Sequence, residues 1–250
     1  MAKLEIILTP AELPALVRRD LRDTACVVFD VLRATSTFVT ALHNGAQAII
    51  PVSEISEATA IRKRQPDVLL GGERNGVKIC ASQTGGIDFD FGNSPREYTE
   101  VRGRTIVSTT TNGTRALRAS AGARTVLAAS LLNLTATARF IRRLQPSQVL
   151  LVCAGTHEHT SLEDVLAAGA LAEMLLADTA IQTMSDSAQI ALGIHQNAKT
   201  NLAEAICRSE NAQRLLAIPE LRDDVAFCLR QDAFNLVAVL GHDGALRVSI

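Results

Sequence analysis

The feature that most constrains this fold is the stretch Ala25–Thr37, ACVVFDVLRATST. Its apolar run Cys26-Val27-Val28-Phe29 reads as a strand over 25–29, delivering a carboxylate, Asp30, at the strand's end. Arg33 follows in the turn. Thr35, Ser36 and Thr37 then open a helix expected from about Thr35 to Asn44, with Gly45 as its stop. In open α/β sheets ligands bind where strands end and helices begin. A helix N-terminus offers unpaired N–H groups and partial positive charge, which suit an anion. A carboxylate in that setting is unfavourable unless a divalent cation lies between it and the anion. The stretch therefore points to a metal-plus-phosphate site, with a helix cap or turn-former as the plainer reading of Asp30.

The same rhythm recurs along the chain. Leu4 to Leu8 reads as a strand and Pro10 to Arg19 as a helix. Strands are expected at Ala48–Val52, Val68–Leu70, Thr105–Ser108, 126–130 and Val149–Val152, with helices between several of them. Residues 75–98, rich in Gly, Asn, Ser and Asp, read as a long loop, and loops of that length are usually functional or disordered. A long Ala-rich helix reaches Leu176. Residues 185–216 read as helical with Asp186 or Ser187 as cap, and Asp223–Asp232 as a further helix. Val237–Leu240 and Leu246–Ile250, split by Gly241-His242-Asp243-Gly244, read as a terminal hairpin. Strands alternating with helices imply an α/β fold with a largely parallel core. Laying Thr114 on Thr35 makes an internal βαβ pseudo-repeat, in which the two Thr-rich loops should face a shared cleft. The general βαβ rhythm accounts for the same pattern. One domain over 1–250 is expected, or two intimate halves near 1–100 and 101–250.

Composition removes several classes of function. With 25 Lys and Arg against 26 Asp and Glu, the chain carries no basic footprint for nucleic acid and no polybasic membrane patch. No apolar run approaches the ~20 residues of a membrane span. The start, MAKLEIILTP, lacks the marks of a secretory leader. The five cysteines are scattered and form no C-x-x-C pair. A cytoplasmic protein is the expectation.

Further candidates lie at other strand ends. Glu73 and Arg74 follow Gly71-Gly72, which is either a turn with solvated charges or a close backbone approach to a ligand. In the second reading Glu73 ligates a metal, and Arg74 or Lys78 clamps an anion. Asn93-Ser94-Pro95-Arg96 by itself is a turn. Thr109–Arg115, with Thr110, Thr111, Asn112, Gly113 and Arg115, offers hydroxyls, an amide and successive N–H groups that suit phosphate or sulfonate oxygens. A capped helix is its alternative. Glu163 and Asp164 lie in a first helical turn, where acids favour the dipole in any case. Their place after Cys153-Ala154-Gly155-Thr156 makes one of them a candidate metal ligand. Cys153 is a candidate nucleophile or a small buried core residue. His157-Glu158-His159 lacks a third spaced zinc ligand and reads as an exposed lip. Leu32 excludes a D-x-D phosphatase loop at Asp30, and neither Gly-rich nucleotide motif is present.

The segments DVLRATST (30–37), GGERNGVKI (71–79), DFGNSPREY (90–98), STTTNGTRAL (108–117) and CAGTHEHTSLEDVLAAGAL (153–171) together resemble the ComB family, the 2-phosphosulfolactate phosphatases. The resemblance covers most of 25–175 and is looser beyond. Residues 80–89 lengthen the link between the second and third segments. The resemblance implies that family's α/β arrangement and Mg²⁺-dependent hydrolysis of 2-phospho-3-sulfolactate, a reaction tied by the family name to coenzyme M biosynthesis. It also implies a homodimer acting on a small anionic phosphorylated substrate. The family's acidic and anion-binding positions would fall on Asp30, Arg33, Glu73, Asn93, Asn112, Cys153, Glu163 and Asp164. The expected ion site joins Asp30, Glu73 and Asp164, directly or through water. Arg33 and Thr110–Gly113 would hold the phosphoryl oxygens, and Arg74, Lys78, Arg96 and Arg115 would supply charge for the remaining anionic groups. Competing expectations are a metal-dependent hydrolase of another phosphorylated hydroxy acid and a non-catalytic anion-binding protein.

Overall fold

The apolar runs become strands because both of their faces are covered. The computed structural model describes residues 2–177 and 181–249. From the N-terminus these form β1 (Ala2–Ile7), α1 (Leu13–Leu16), β2 (Thr24–Phe29), α2 (Ala34–His43), β3 (Ala48–Pro51), α3 (Ile55–Arg64), β4 (Leu69–Arg74), β5 (Val77–Lys78) and α4 (Ala81–Thr84). The middle of the chain adds β6 (Thr105–Thr109), α5 (Gly113–Ala119), β7 (Thr125–Ala129), α6 (Leu134–Leu144), β8 (Gln148–Cys153) and α7 (Leu162–Leu176). The last part holds β9 (Ile181–Met184), α8 (Asp186–Ala198), α9 (Leu202–Cys207), α10 (Glu210–Leu216), α11 (Arg222–Cys228), β10 (Val237–Leu240) and β11 (Leu246–Ser249). Every residue of β2 is buried: Val27 and Phe29 pack on one face with α6 and α7, Cys26 and Val28 on the other with α2 and α5. Coverage of both faces is what a continuous apolar strand in a parallel sheet requires.

The strands form one sheet in the order β5-β4-β6-β3-β11-β10-β7-β2-β8-β1-β9. β4, β6 and β3 pair in parallel, and so do β7, β2, β8, β1 and β9. The C-terminal hairpin lies between these two blocks, antiparallel to β7 on one side and to β3 on the other. It is therefore the seam of the sheet. The units β2-α2-β3 and β6-α5-β7 both cross that seam, so that β2 lies beside β7 and β3 beside β6. No described helix is long and apolar enough to cross a membrane.

Local expectations change in four places. The loop 75–98 contains β5, α4 and a 3₁₀ turn at Pro95–Glu97. The helix expected over Pro10–Arg19 shrinks to a 3₁₀ turn, Pro10–Glu12, and α1. The helical stretch 185–216 is broken into α8, α9 and α10. Ser185 caps the first, its hydroxyl accepting from the Ala188 N–H, in place of Asp186 or Ser187. Ser209 interrupts the run in the same way, accepting from the Ala212 N–H and starting α10 afresh. Finally, the helix expected over Asp223–Asp232 is confined to α11.

Candidate active site

The turn after β2 is fixed by its own side chains. Asp30 Oδ1 accepts from the Ala34 N–H at 3.1 Å. The Thr35 hydroxyl donates to the Asp30 carbonyl at 2.9 Å and accepts from the Asp30 N–H at 3.0 Å. The Ser36 hydroxyl donates to the Val31 carbonyl at 2.8 Å. Thr35 and Ser36, expected to bind phosphate, are thus buried and occupied with backbone groups, and they shape the turn instead. Asp164, at the start of α7, accepts from the Val31 N–H at 2.8 Å through Oδ1 and from the Gly155 N–H at 3.0 Å through Oδ2. It staples the β2 loop to the β8 loop.

On the opposite side Glu73, at the end of β4, plays a matching part. Its Oε1 accepts from the N–H and hydroxyl of Thr111 at 3.0 and 2.9 Å, and its Oε2 accepts from the Gly76 N–H at 2.7 Å. Gly113 begins α5 against Asp30: a Cβ there would lie 2.8 Å from Asp30 Oδ2 and 2.8 Å from the Ala34 Cβ. Only glycine lets the two Thr-rich loops approach this closely. Arg33 is 4% exposed and donates to Asp224 Oδ2 at 2.8 Å and to the Gly76 carbonyl at 3.2 Å. Asp224, on α11, is fully buried and also accepts from the Ser94 hydroxyl at 2.6 Å, while Arg96 approaches to 3.5 Å.

These elements enclose a narrow cleft with a cavity volume of about 70 Å³. Asp30, Arg33, Glu73, Asn93, Thr110, Thr111 and Asn112 all line it. The two Thr-rich loops do face a shared cleft. The wall also holds residues that sequence reasoning did not assign to the site: Asn75 and Gly76 from the β4–β5 turn, Thr156 and His157 after β8, and Asn211 and Arg214 on α10. Asn75-Gly76 carries a readable signal, an Asn-Gly turn whose Asn has φ 55°. Asn211 and Arg214 carry none, since their helix shows only periodicity.

The remaining expected site residues lie elsewhere. The Arg74 guanidinium is taken up by the carbonyls of Glu73 and Ser53 and by Thr109. Lys78 is exposed on β5, and Arg115 pairs with Glu158 at 3.3 Å, neither lining the cleft. Ser94 faces Asp224 and not the cleft. Cys153 is fully buried in the core with Phe29 and Leu151, and burial holds its thiol well above the usual value, with Asp164 and Glu163 adding to the effect. A thiol so placed is not an available nucleophile, and it packs the strand end. His157 and His159 are exposed, as the reading of a lip anticipates.

The acids repel one another. Burial pushes the Asp30 carboxyl up to about 7, with the charges of Glu73 and Glu163 acting in the same direction. Burial raises Asp164 well above the carboxylate range, followed by Glu163 and Asp30. Glu163 Oε1 accepts from Asn211 Nδ2 at 2.6 Å, but its buried Oε2 has no partner. Among the described residues no three Asp, Glu, His or Cys side chains form a ready-made metal cluster. The expected trio of Asp30, Glu73 and Asp164 is therefore not a cage, because Glu73 and Asp164 engage both of their oxygens with protein donors. The donor chemistry still fits a hard cation that keeps most of its water: a buried excess of carboxylate charge and one unpartnered oxygen, at Glu163.

Fold and cleft define an α/β protein whose strand ends gather acids, hydroxyls and a guanidinium around one anion-sized opening. The family model described as 2-phosphosulpholactate phosphatase matches residues 8–243, and the chain belongs to that family. The match extends well past residue 175, where the sequence resemblance is loose. Three relatives, each named a probable 2-phosphosulfolactate phosphatase, are similar over nearly their whole length. The protein of Caldanaerobacter subterraneus subsp. tengcongensis is 40% identical over 92% of this chain and 93% of its own. That of Carboxydothermus hydrogenoformans is 38% identical over 94% and 92%, and that of Thermotoga petrophila 42% over 86% and 88%.

Proposed function

We propose that this protein hydrolyses the phosphomonoester of 2-phospho-3-sulfolactate, releasing 3-sulfolactate and phosphate, and that it does so with Mg²⁺. The observation that carries the reading is the convergence of Asp30, Arg33 and the Thr110–Asn112 loop on one cleft, together with the names of the relatives. Phosphomonoester hydrolysis is among the slowest uncatalysed reactions, so most of the acceleration must come from neutralising phosphoryl charge in place. Arg33, Thr110 and Asn112 line one volume and would hold phosphoryl oxygens there. Glu73 fixes Thr111, and Asp164 fixes the turn after Asp30, so both act as supports for the groups that meet substrate. Asp30 and Glu163 would hold the ion, with Glu73 and Asp164 reaching it through water. Bound there, Mg²⁺ would offset the mutual repulsion of the acids and add positive charge opposite the phosphate.

The test is phosphate release from 2-phospho-3-sulfolactate, in excess Mg²⁺ and after chelation, by the wild-type protein and by Asp30→Asn. Release that requires Mg²⁺ and falls at least about 10³-fold in the variant is expected. The absence of release by wild type would overturn the substrate, while release unaffected by chelation would overturn the ion alone. Calorimetric titration of Mg²⁺ into Asp30→Asn should show weakened binding, a result independent of turnover.

A further inference from the structure

The substrate just proposed carries three anionic groups, whereas the cleft wall contains two guanidinium groups, Arg33 and Arg214. The charge of Arg33 is already met by buried Asp224. Arg74 is held by backbone carbonyls, Arg96 pairs with Asp223 and Asp224, and Arg115 pairs with Glu158. The Arg214 side chain alone of these has neither an ion pair nor a hydrogen bond among the described residues.

Its position is built. Asn211 and Arg214 are three residues apart on α10, hence on one helical face, and both line the cleft. Asn211 anchors that face through Glu163 at 2.6 Å and Thr156 at 2.7 Å. Ala212 and Leu215 are the buried residues of the helix, and Leu215, one turn from Asn211, lines the cleft as well. Arg214 is exposed, at the rim, while Asp30, Arg33 and Glu73 are buried at the floor.

We infer that Arg214 recognises the sulfonate of the substrate, one of the two anionic groups that are not transferred. The inference rests on the phosphatase reading above and names its specificity residue. In 2-phospho-3-sulfolactate the carboxylate and the phosphate ester share one carbon, and the sulfonate is one carbon further on. With the phosphate at the floor, the sulfonate is the group that points to the rim. A guanidinium presents paired N–H donors that match two oxygens of such a group, which an ammonium does not.

The experiment compares wild type, Arg214→Ala and Arg214→Lys on 2-phospho-3-sulfolactate, on 2-phospholactate, which lacks the sulfonate, and on 2-phosphooxyethanesulfonate, which lacks the carboxylate. In Arg214→Ala the ratio of kcat/KM for either sulfonated compound to that for 2-phospholactate should fall at least about tenfold, chiefly through KM. Lysine should restore part of it. An unchanged ratio overturns the inference, and so does a loss that follows the carboxylate instead. Calorimetric binding of 3-sulfolactate and of lactate tests Arg214 without turnover. If wild type hydrolyses none of the three compounds, the phosphatase reading fails. Selective loss of 3-sulfolactate affinity in Arg214→Ala would then still support its role, and unchanged affinity would overturn it.

Discussion

Arg33 and Asp224 are 191 residues apart in sequence and 2.8 Å apart in the fold, with 4% and 0% of their side chains exposed. Removing one member of such a pair strands a buried charge, which costs about 3–5 kcal/mol; removing both costs less than the sum. Asp224→Ala should therefore lower the urea-unfolding free energy by about that amount. The double variant Arg33→Ala/Asp224→Ala should be more stable than additivity predicts by at least about 1 kcal/mol. Strict additivity in the urea series would mean the pair is not a working ion pair. The same residues show what a sequence conceals. Asp30, Arg33 and Glu73 are legible because a strand end followed by a turn announces them locally. Asp224 sits in a helix with another acid before it, and nothing nearby indicates that its partner lies across the molecule. Arg74, Lys78 and Arg115 err in the opposite direction: proximity in sequence to a site loop does not fix where a long side chain lies.

At the scale of elements, the site depends on how closely α2 and α5 begin to one another. The Cβ that Gly113→Ala would add falls 2.8 Å from Asp30 Oδ2, at the start of α5, and nothing flexible lies in between. The two loops would have to part, at a cost of about 1–3 kcal/mol. Because Asp30 is what moves, the larger effect is expected on turnover. Phosphate release by Gly113→Ala should fall at least about tenfold, with the circular dichroism of the folded protein retained. Wild-type turnover in this variant would show that the loop contact is not needed. The elements themselves are largely readable: β2, α2, β3, α3 and the terminal hairpin follow from apolar runs, caps and glycine stops. The place of that hairpin is not readable, because the apolar run of β10 and the alternating Leu246-Arg247-Val248-Ser249 of β11 suit any hairpin until the sheet order sets them between β3 and β7. Pairing partners are a property of the whole chain, and a local pattern carries no trace of them.

At the scale of the molecule, the gathered acids make stability depend on pH in a definite direction. In the unfolded chain Asp30 titrates near the ordinary value of 3.8; in the fold burial and the charges of Glu73 and Glu163 move it to about 7. Asp164 shifts the same way. Between these values the folded protein holds more protons than the unfolded chain, so stability falls as pH rises through that interval. Asp20 and Asp243 act in the opposite sense: their arginine partners hold them at about 2, and the stability they add is lost only as pH drops from about 4 toward 2. The two windows barely touch. In the presence of a chelator, thermal melting should therefore occur at a lower temperature at pH 8 than at pH 5.5, and Asp30→Asn should flatten that slope. Mg²⁺ binds the ionised carboxylates, so it should raise the melting temperature at pH 8 and have a much smaller effect at pH 5.5. A melting temperature that rises steadily from pH 5.5 to pH 8 without Mg²⁺, unaltered by Asp30→Asn, would mean that neither burial nor the neighbouring acids raise Asp30 in the folded protein. The electrostatic case for a cation at the end of β2 would then be lost.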